Sequence, residues 1–263
     1  MLSRLEGKLA TTLINRTTHH MELTEEGRFF FEQAQAILQQ IAQLHVCQRS
    51  PAGRLCVNAA TPFMLHAIVP HMAEFRERFP HIQLELTTDE RNIDPLERRT
   101  DVAIRIGQLD DSSLHARPLG STQRLLVASP DYLKQWGTPT RVEALAHHHL
   151  IGFTQPDVLN QWPLQYEGGS YYDITPALSA PNGETLRQLA LHGTGIACLS
   201  HFLVHEDLSK GRLVSVLDRH RHSATQLINA VYYRNAQLAQ RVSCFLDFMQ
   251  EKLHAFAVDS PPV

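Results

Sequence analysis

RLLVASPDYLKQW, residues 124–136, reads as a buried strand that runs directly into a strand-to-helix turn and a short helix. Its counterpart is LINAVYY, residues 227–233, a second short run rich in β-branched and aromatic residues. The two bracket residues 129–226. A core interrupted by an inserted second core fits this layout. Residues 54–124 and 234–258 then make one lobe and 129–226 the other, with the strands at 125–128 and 227–233 at their boundaries.

Outward from this pair, strand and helix alternate. RLCVNAA (54–60) is apolar enough for a buried strand. Thr61-Pro62 then opens FMLHAIVPHMAEFRERFP, a helix interrupted at Pro70, whose ring removes a donor, and closed at Pro80. IQLELT (82–87) alternates as a half-buried strand, 92–99 reads as a short helix, and DVAIRI (101–106) is a buried strand ended by Gly107. Such repeats indicate βαβ units and a mainly parallel sheet. Within the bracketed part, 149–153, 162–164 and 171–174 are shorter strand candidates. GETLRQLALHG is a helix opened by Asn182, with Leu186, Leu189 and Ala190 turned inward, and 195–199 is a strand. A last helix covers 238–253.

The amino-terminal part is organised differently. In residues 23–46, Phe30, Ala34, Ile37, Ile41 and Leu44 recur in a seven-residue pattern, so one narrow apolar seam runs down a helix. At 1.5 Å per residue such a helix is about 33 Å long. Thr24 suits its N-cap, and Glu25 and Glu26 place negative charge at the positive end of the dipole. The seam predicts a partner helix, because residues 1–49 are too few for an ordinary core of their own. Phe31 and Leu38 widen the stripe, so a core-facing surface helix is the other reading. Upstream, Leu2, Leu5 and Leu9 share one face of a short helix, and residues 15–23 form a tight hairpin.

Composition excludes several classes. The chain has 263 residues, 43% of them hydrophobic and 19% charged. No apolar run is long enough to span a membrane. The amino terminus lacks the apolar core of a signal peptide, which predicts a cytoplasmic protein. Cys47, Cys56, Cys198 and Cys244 lie far apart without metal-ligand spacing, as reduced thiols do. The formal net charge is −3. Residues 1–49 are neutral, so that charge belongs to the large region and leaves the small module free to meet phosphate.

SRLEGKLATTLINRTTHHMELTEEG, residues 3–27, resembles the second half of the winged helix-turn-helix of LysR-type transcriptional regulators. The match lies at Arg4-Leu5-Glu6, Leu9, Leu13-Ile14, Asn15-Arg16-Thr17-Thr18, Leu23-Thr24 and Gly27. It continues through FRERFP, DVAIRIG, LLVASPDYL and HGTGIACLS. Ala10 and His19 depart from the family's usual Gly and Arg. The resemblance implies an α/β fold: a two-lobed, periplasmic-binding-protein-like effector domain at 50–258, a linker and dimerisation helix at 24–49, and a partial winged helix-turn-helix at 1–23. It also implies that the base-reading half of the recognition helix precedes the part matched here. Arg4, Arg16, Thr17, Thr18 and His19 are then the residues near DNA, with Arg16 and the wing threonines suited to phosphate and sugar rather than to base edges. The implied partners are promoter DNA, a small polar or carboxylate effector, and a second copy of the chain in a homodimer or tetramer. The alternative is a small-molecule-binding protein without specific DNA binding.

Ligands in such folds sit at the carboxyl ends of strands and the amino termini of helices. Thr61 and Pro62 begin the helix after strand 54–60, as an anion site or simply as a cap. Arg105, in an otherwise apolar strand, needs solvent, a ligand or a carboxylate, for which Asp101 is at hand. Asn182, Gly183 and Thr185 offer a second helix start, facing Thr61, with Glu184 weakening the case for a purely anionic ligand. Phe153 and Thr154 end a further strand.

No enzyme site assembles. There is no GxSxG, and HEDLS (205–209) lacks the second His of a zinc helix. His147-His148-His149 and RHRH (219–222) read as solvated loops, and Cys198 as a small hydrophobe rather than a redox sensor. No cofactor or metal is expected.

Overall fold

The computed structural model describes residues 6–7, 9, 11–16, 21–31, 33–35, 51–88, 100–107, 115–222, 225–232 and 240–253. The chain divides into two compact units, Met1–Pro51 and Ala52–Val263.

In the first unit, β1 (Ile14–Arg16) and β2 (Met21–Leu23) pair antiparallel, with Ile14 opposite Leu23. Thr24 caps the linker helix, which is described at 25–31 and 33–35. The Gly27 amide donates to Thr24 Oγ1 at 2.9 Å, and that hydroxyl donates to the Thr12 carbonyl at 2.7 Å. Gly27 is obligatory, because a Cβ there would lie 1.9 Å from the Leu13 carbonyl oxygen. Glu6 Oε1 accepts the amides of Leu13 (2.9 Å) and Ile14 (3.2 Å), which ties the Glu of the RLE run to the hairpin. Phe30 and Ala34 are half-buried. Ile37, Ile41 and Leu44 lie outside the described residues, as do Arg4, Thr17, Thr18 and His19; Arg16 is described only as backbone of β1.

The second unit begins with β3 (Gly53–Asn58) and a helical run that changes pitch: α1 (Thr61–Phe63), a π turn (Met64–Ile68), a 3-10 turn (Val69–His71) and α2 (Met72–Arg78). Pro70 has no N–H to donate, so the regular ladder breaks around it. Next come β4 (Ile82–Thr87), β5 (Val102–Ile106), β6 (His115–Ala128), α3 (Pro130–Trp136), β7 (Leu150–Phe153), β8 (Gln161–Trp162), β9 (Tyr172–Asp173) and β10 (Leu178–Ala180). The chain continues through α4 (Gly183–Leu191), β11 (Ile196–Ser200), α5 (His201–Ser209), β12 (Val214–Ser215), β13 (Thr225–Tyr232) and α6 (Gln240–Leu253). The helix expected over 92–99 lies outside the described residues.

One nine-stranded sheet runs β10-β7-β11-β6-β13-β5-β3-β4, with β12 also on β6. β3 is parallel to β4 and β5, and β7 is parallel to β10 and β11, as βαβ connections require. The two parallel groups make two lobes, joined through β6 and β13. Residues 115–123 of β6 pair with β13, and 124–127 pair with β11. The expected strand 124–128 is thus only the last third of a 14-residue strand. Its first part, HARPLGSTQ, carries Pro118 and Gly120, which read as loop; a register shift between Ile228 and Asn229 accommodates it.

A continuous apolar core runs through both lobes. It takes Leu55, Val57, Val102 and Phe245 from the first, and Val127, Leu186, Leu199 and Leu203 from the second. A smaller cluster around Tyr132, Trp162 and Leu150 covers the other face of the second lobe. Among the described residues no helix is long and apolar enough to cross a membrane.

Candidate functional site

The starts of α1 and α4 meet where the lobes join. Ala60, not Thr61, is the N-cap of α1, and it supplies no side-chain hydrogen bond; Thr61 and Pro62 are the first two helical residues. Asn182 caps α4, its Oδ1 accepting the Thr185 amide at 2.9 Å and the Thr185 hydroxyl at 3.1 Å. Gly183 lies against Pro62: a Cβ on it would come 3.5 Å from Pro62 Cγ and 3.1 Å from Leu203 Cδ2. One residue further, Phe63 packs edge-to-face on Phe202 of α5, with centroids 5.1 Å apart.

A polar network crosses the same junction. His66 Nε2, on the first lobe, lies 2.6 Å from Glu184 Oε2 on α4. Glu184 Oε1 accepts from Arg187 (3.0 Å) and Gln188 (2.8 Å). Arg187 in turn grips Asp207 of α5 through Nε (2.5 Å) and Nη2 (2.9 Å), and Arg212 reaches Asp207 Oδ1 at 2.7 Å. Burial alone would raise the Glu184 carboxyl. Hydrogen bonds from Gln188 and His66 and the Arg187 charge outweigh it and hold the group below the usual carboxylate range. Glu184 is therefore engaged from two sides, by the His66 ring and the Arg187 guanidinium, instead of standing open at the helix start. His66 is the junction residue that sequence reasoning missed, since nothing local marks a histidine whose partner is 118 residues away.

Arg105 lies near the carboxyl end of β5. Its Nη1 donates to Asn58 Oδ1 and to the Ile104 carbonyl, each at 3.0 Å. Asp101 is not its partner: Asp101 Oδ2 accepts the Cys56 amide at 2.9 Å, and Oδ1 faces Arg241 at 3.6 Å. Burial pushes the Arg105 guanidinium below its ordinary value, with no carboxylate offsetting it among the described residues. Asn58 is three residues before Thr61 in the chain, so Arg105 and the start of α1 share one end of β3. Phe153 and Thr154 end β7 beside β10: the Thr154 amide donates to the Ala180 carbonyl at 3.0 Å, two residues before Asn182. Phe153 is half-buried and Thr154 exposed.

The remaining candidates resolve into packing. Cys198 is fully enclosed in β11, and burial pushes its thiol up to about 11 despite nearby Arg124 and Arg221, so it stays protonated and inert. Two runs expected as solvated loops are partly packed. His148 Nδ1 lies 3.1 Å from the Tyr132 hydroxyl, His149 packs on Trp136 with centroids 4.5 Å apart, and Arg221 donates to the Arg124 carbonyl at 3.0 Å. HEDLS belongs to α5, a helix that periodicity does not reveal because Phe202, Leu203, Val204 and Asp207 bury most of its circumference. Among the described residues, no three His, Cys, Asp or Glu side chains are grouped to hold a metal ion.

Comparison with known proteins agrees with this architecture. The family described as LysR substrate binding domain matches residues 48–254. The transcriptional regulator CrgA of Neisseria meningitidis is 44% identical over 257 residues, covering 96% of this chain and 86% of that protein. Its solved structure superimposes with a TM-score of 0.77 over 96% of this chain and 87% of that one. AphB, a virulence activator of Vibrio cholerae, is 29% identical with a TM-score of 0.64, covering 94% of this chain and 86% of that one. A two-lobed sheet joined through shared strands, together with these matches over nearly its whole length, establishes that the chain belongs to the LysR-type transcriptional regulators, a family of effector-binding, non-enzymatic proteins.

Proposed function

We propose that this chain is a transcriptional regulator that takes a small polar or carboxylate effector between its lobes and relays lobe movement through paired linker helices to DNA-reading modules. In this reading, residues 1–23 belong to the winged module, with Arg16, Thr17 and Thr18 on phosphate and sugar of promoter DNA. Residues 24–49 pair two copies, and 50–258 bind the effector. Within the effector domain, 54–124 and 234–258 move against 129–226. The effector residues are Thr61, Pro62, Arg105, Phe153, Thr154, Asn182, Gly183 and Thr185.

The observation that carries this reading is the meeting of α1 and α4 at Pro62 and Gly183. Two helix starts from different lobes share that junction, so a ligand there makes contacts that depend on how the lobes are set, which is what coupling to a distant module requires. The test is calorimetry with a compound selected from a panel of small organic acids and polar metabolites. Thr61→Ala and Thr154→Ala each remove one neutral hydrogen bond and weaken binding about two- to tenfold. Unchanged affinity in both variants moves the site away from the junction.

A further inference from the structure

Two kinds of contact cross the junction between the lobes. The apolar kind lies at the helix starts, where Pro62 meets Gly183 and the buried Phe63 ring packs edge-to-face on Phe202. The polar kind is His66 Nε2 on Glu184 Oε2 at 2.6 Å, four residues beyond Pro62 on the same helical run. Apolar burial is non-directional, so the rings slide on one another, whereas a hydrogen bond is lost once its geometry fails.

The two ends of the polar contact belong to different lobes. His66 sits on the π turn whose Met64, Ala67 and Ile68 are buried in the core, so its ring moves with the first lobe. Glu184 is tied to the second lobe: its Oε1 accepts from Arg187 and Gln188, and Arg187 is anchored on Asp207, which has no exposed surface. The network is thus deepest inside the second lobe and most open to water where it crosses to the first. There the His66 and Glu184 side chains are 19% and 20% exposed, so water replaces either partner when the contact opens, and Glu184 keeps Arg187 and Gln188.

We infer that the His66–Glu184 contact is a releasable catch: closed, it holds the lobes in the arrangement of this structure, and open, it lets them turn about the Pro62–Gly183 and Phe63–Phe202 contacts. His66 is a positioning residue in this device and acts on the α4 start through Glu184. The inference rests on the reading that lobe movement carries the signal, and deepens it by naming what restrains that movement. Thr61 and Pro62 lie on the helical run that carries His66, and Asn182, Gly183 and Thr185 flank Glu184. A ligand touching both helix starts therefore shifts the catch by as much as its affinities for the closed and open arrangements differ.

The test reads the lobes themselves, in the unliganded full chain. Spin labels on Glu77→Cys of α2 and Lys134→Cys of α3, both exposed positions, report the distance between the lobes. Cys47 is replaced by Ser, while Cys56, Cys198 and Cys244 are buried. An excess of unlabelled chain removes label pairs between copies. His66→Phe keeps a ring and removes the donor; His66→Ala replaces it should the larger ring fit poorly. Glu184→Gln keeps the shape and removes the charge. Each single variant is expected to broaden or shift the distance distribution, with the open share rising about tenfold. The double variant shifts it no further than the larger single, because both changes remove one shared contact. A wild-type distribution in both single variants overturns the inference, even where thermal unfolding shows lowered stability, since the pair then serves stability alone. Shifts that add in the double variant overturn it too. The effector reading is decided separately, by the Thr61→Ala and Thr154→Ala titrations.

Discussion

Asp207 has no exposed surface, yet three guanidinium nitrogens from two arginines converge on its oxygens. Taking two charges out of water is costly, so the pair is held by its geometry, and removing one partner leaves the other buried and unmatched. Asp207→Asn is therefore expected to destabilise the second unit by about 3–5 kcal/mol. A combined Arg187→Met, Asp207→Leu variant should recover much of that loss, because a well-packed apolar pair often does as well as an ion pair. Urea unfolding midpoints measure both. A double variant no better than the single one would mean that the network does more than balance its own burial. The same scale accounts for Gly27 and Glu6: one leaves room for the Leu13 carbonyl, the other accepts two amides.

Among the elements, the linker helix and β6 are of opposite kinds. The linker helix is legible in the sequence through its seven-residue pattern, and its described part exposes apolar surface: Phe29 and Phe31 are 65% and 52% exposed. Leu9, Leu13, Phe29 and Phe30 line an open groove of about 410 Å³ beside it. Placing charge in the seam with Ile37→Glu and Ile41→Glu is expected to shift the protein toward monomer in sedimentation velocity. Unchanged association would take the linker out of the assembly and leave the large units as the contact. β6 shows no such periodicity. It serves two lobes, so its burial changes along its length, exposed at Pro118 and buried from Leu125 to Ala128. A strand with two different surroundings has no single pattern to display.

Across the whole second unit, the lobes are joined by apolar and polar contacts together, and the polar part is sensitive to acid. The Glu184 carboxyl is held below its ordinary range in the folded protein. A depressed folded value means that its contribution is present above the unfolded carboxylate range and is lost as pH falls through the folded value. Glu184→Gln is accordingly expected to be less stable than wild type at neutral pH, with the difference closing below about pH 4. Chemical unfolding over a pH series checks it, and a difference that stays constant down to acid would show that the carboxylate charge is not what His66 and Arg187 hold. The apolar part, Phe63 on Phe202, does not titrate and keeps the lobes in contact throughout the series.

The sequence by itself determined most of the alternation of strands and helices, the Asn182 cap and the family, because apolar period, capping residues and proline breaks are local properties that a single stretch of chain carries. It also marked Arg105, since a cation inside an apolar strand stands out wherever it points. Only the tertiary structure decided what those groups meet. Nothing near His66 foretells Glu184, and nothing near Asp101 shows that Cys56 and Arg241 claim it in place of Arg105. The same holds for α5, buried on most sides, and for the first part of β6, which hides behind proline and glycine. Periodicity reports which face of an element is apolar. Which polar atoms are satisfied, and which are left facing a ligand, depends on partners brought together from distant parts of the chain.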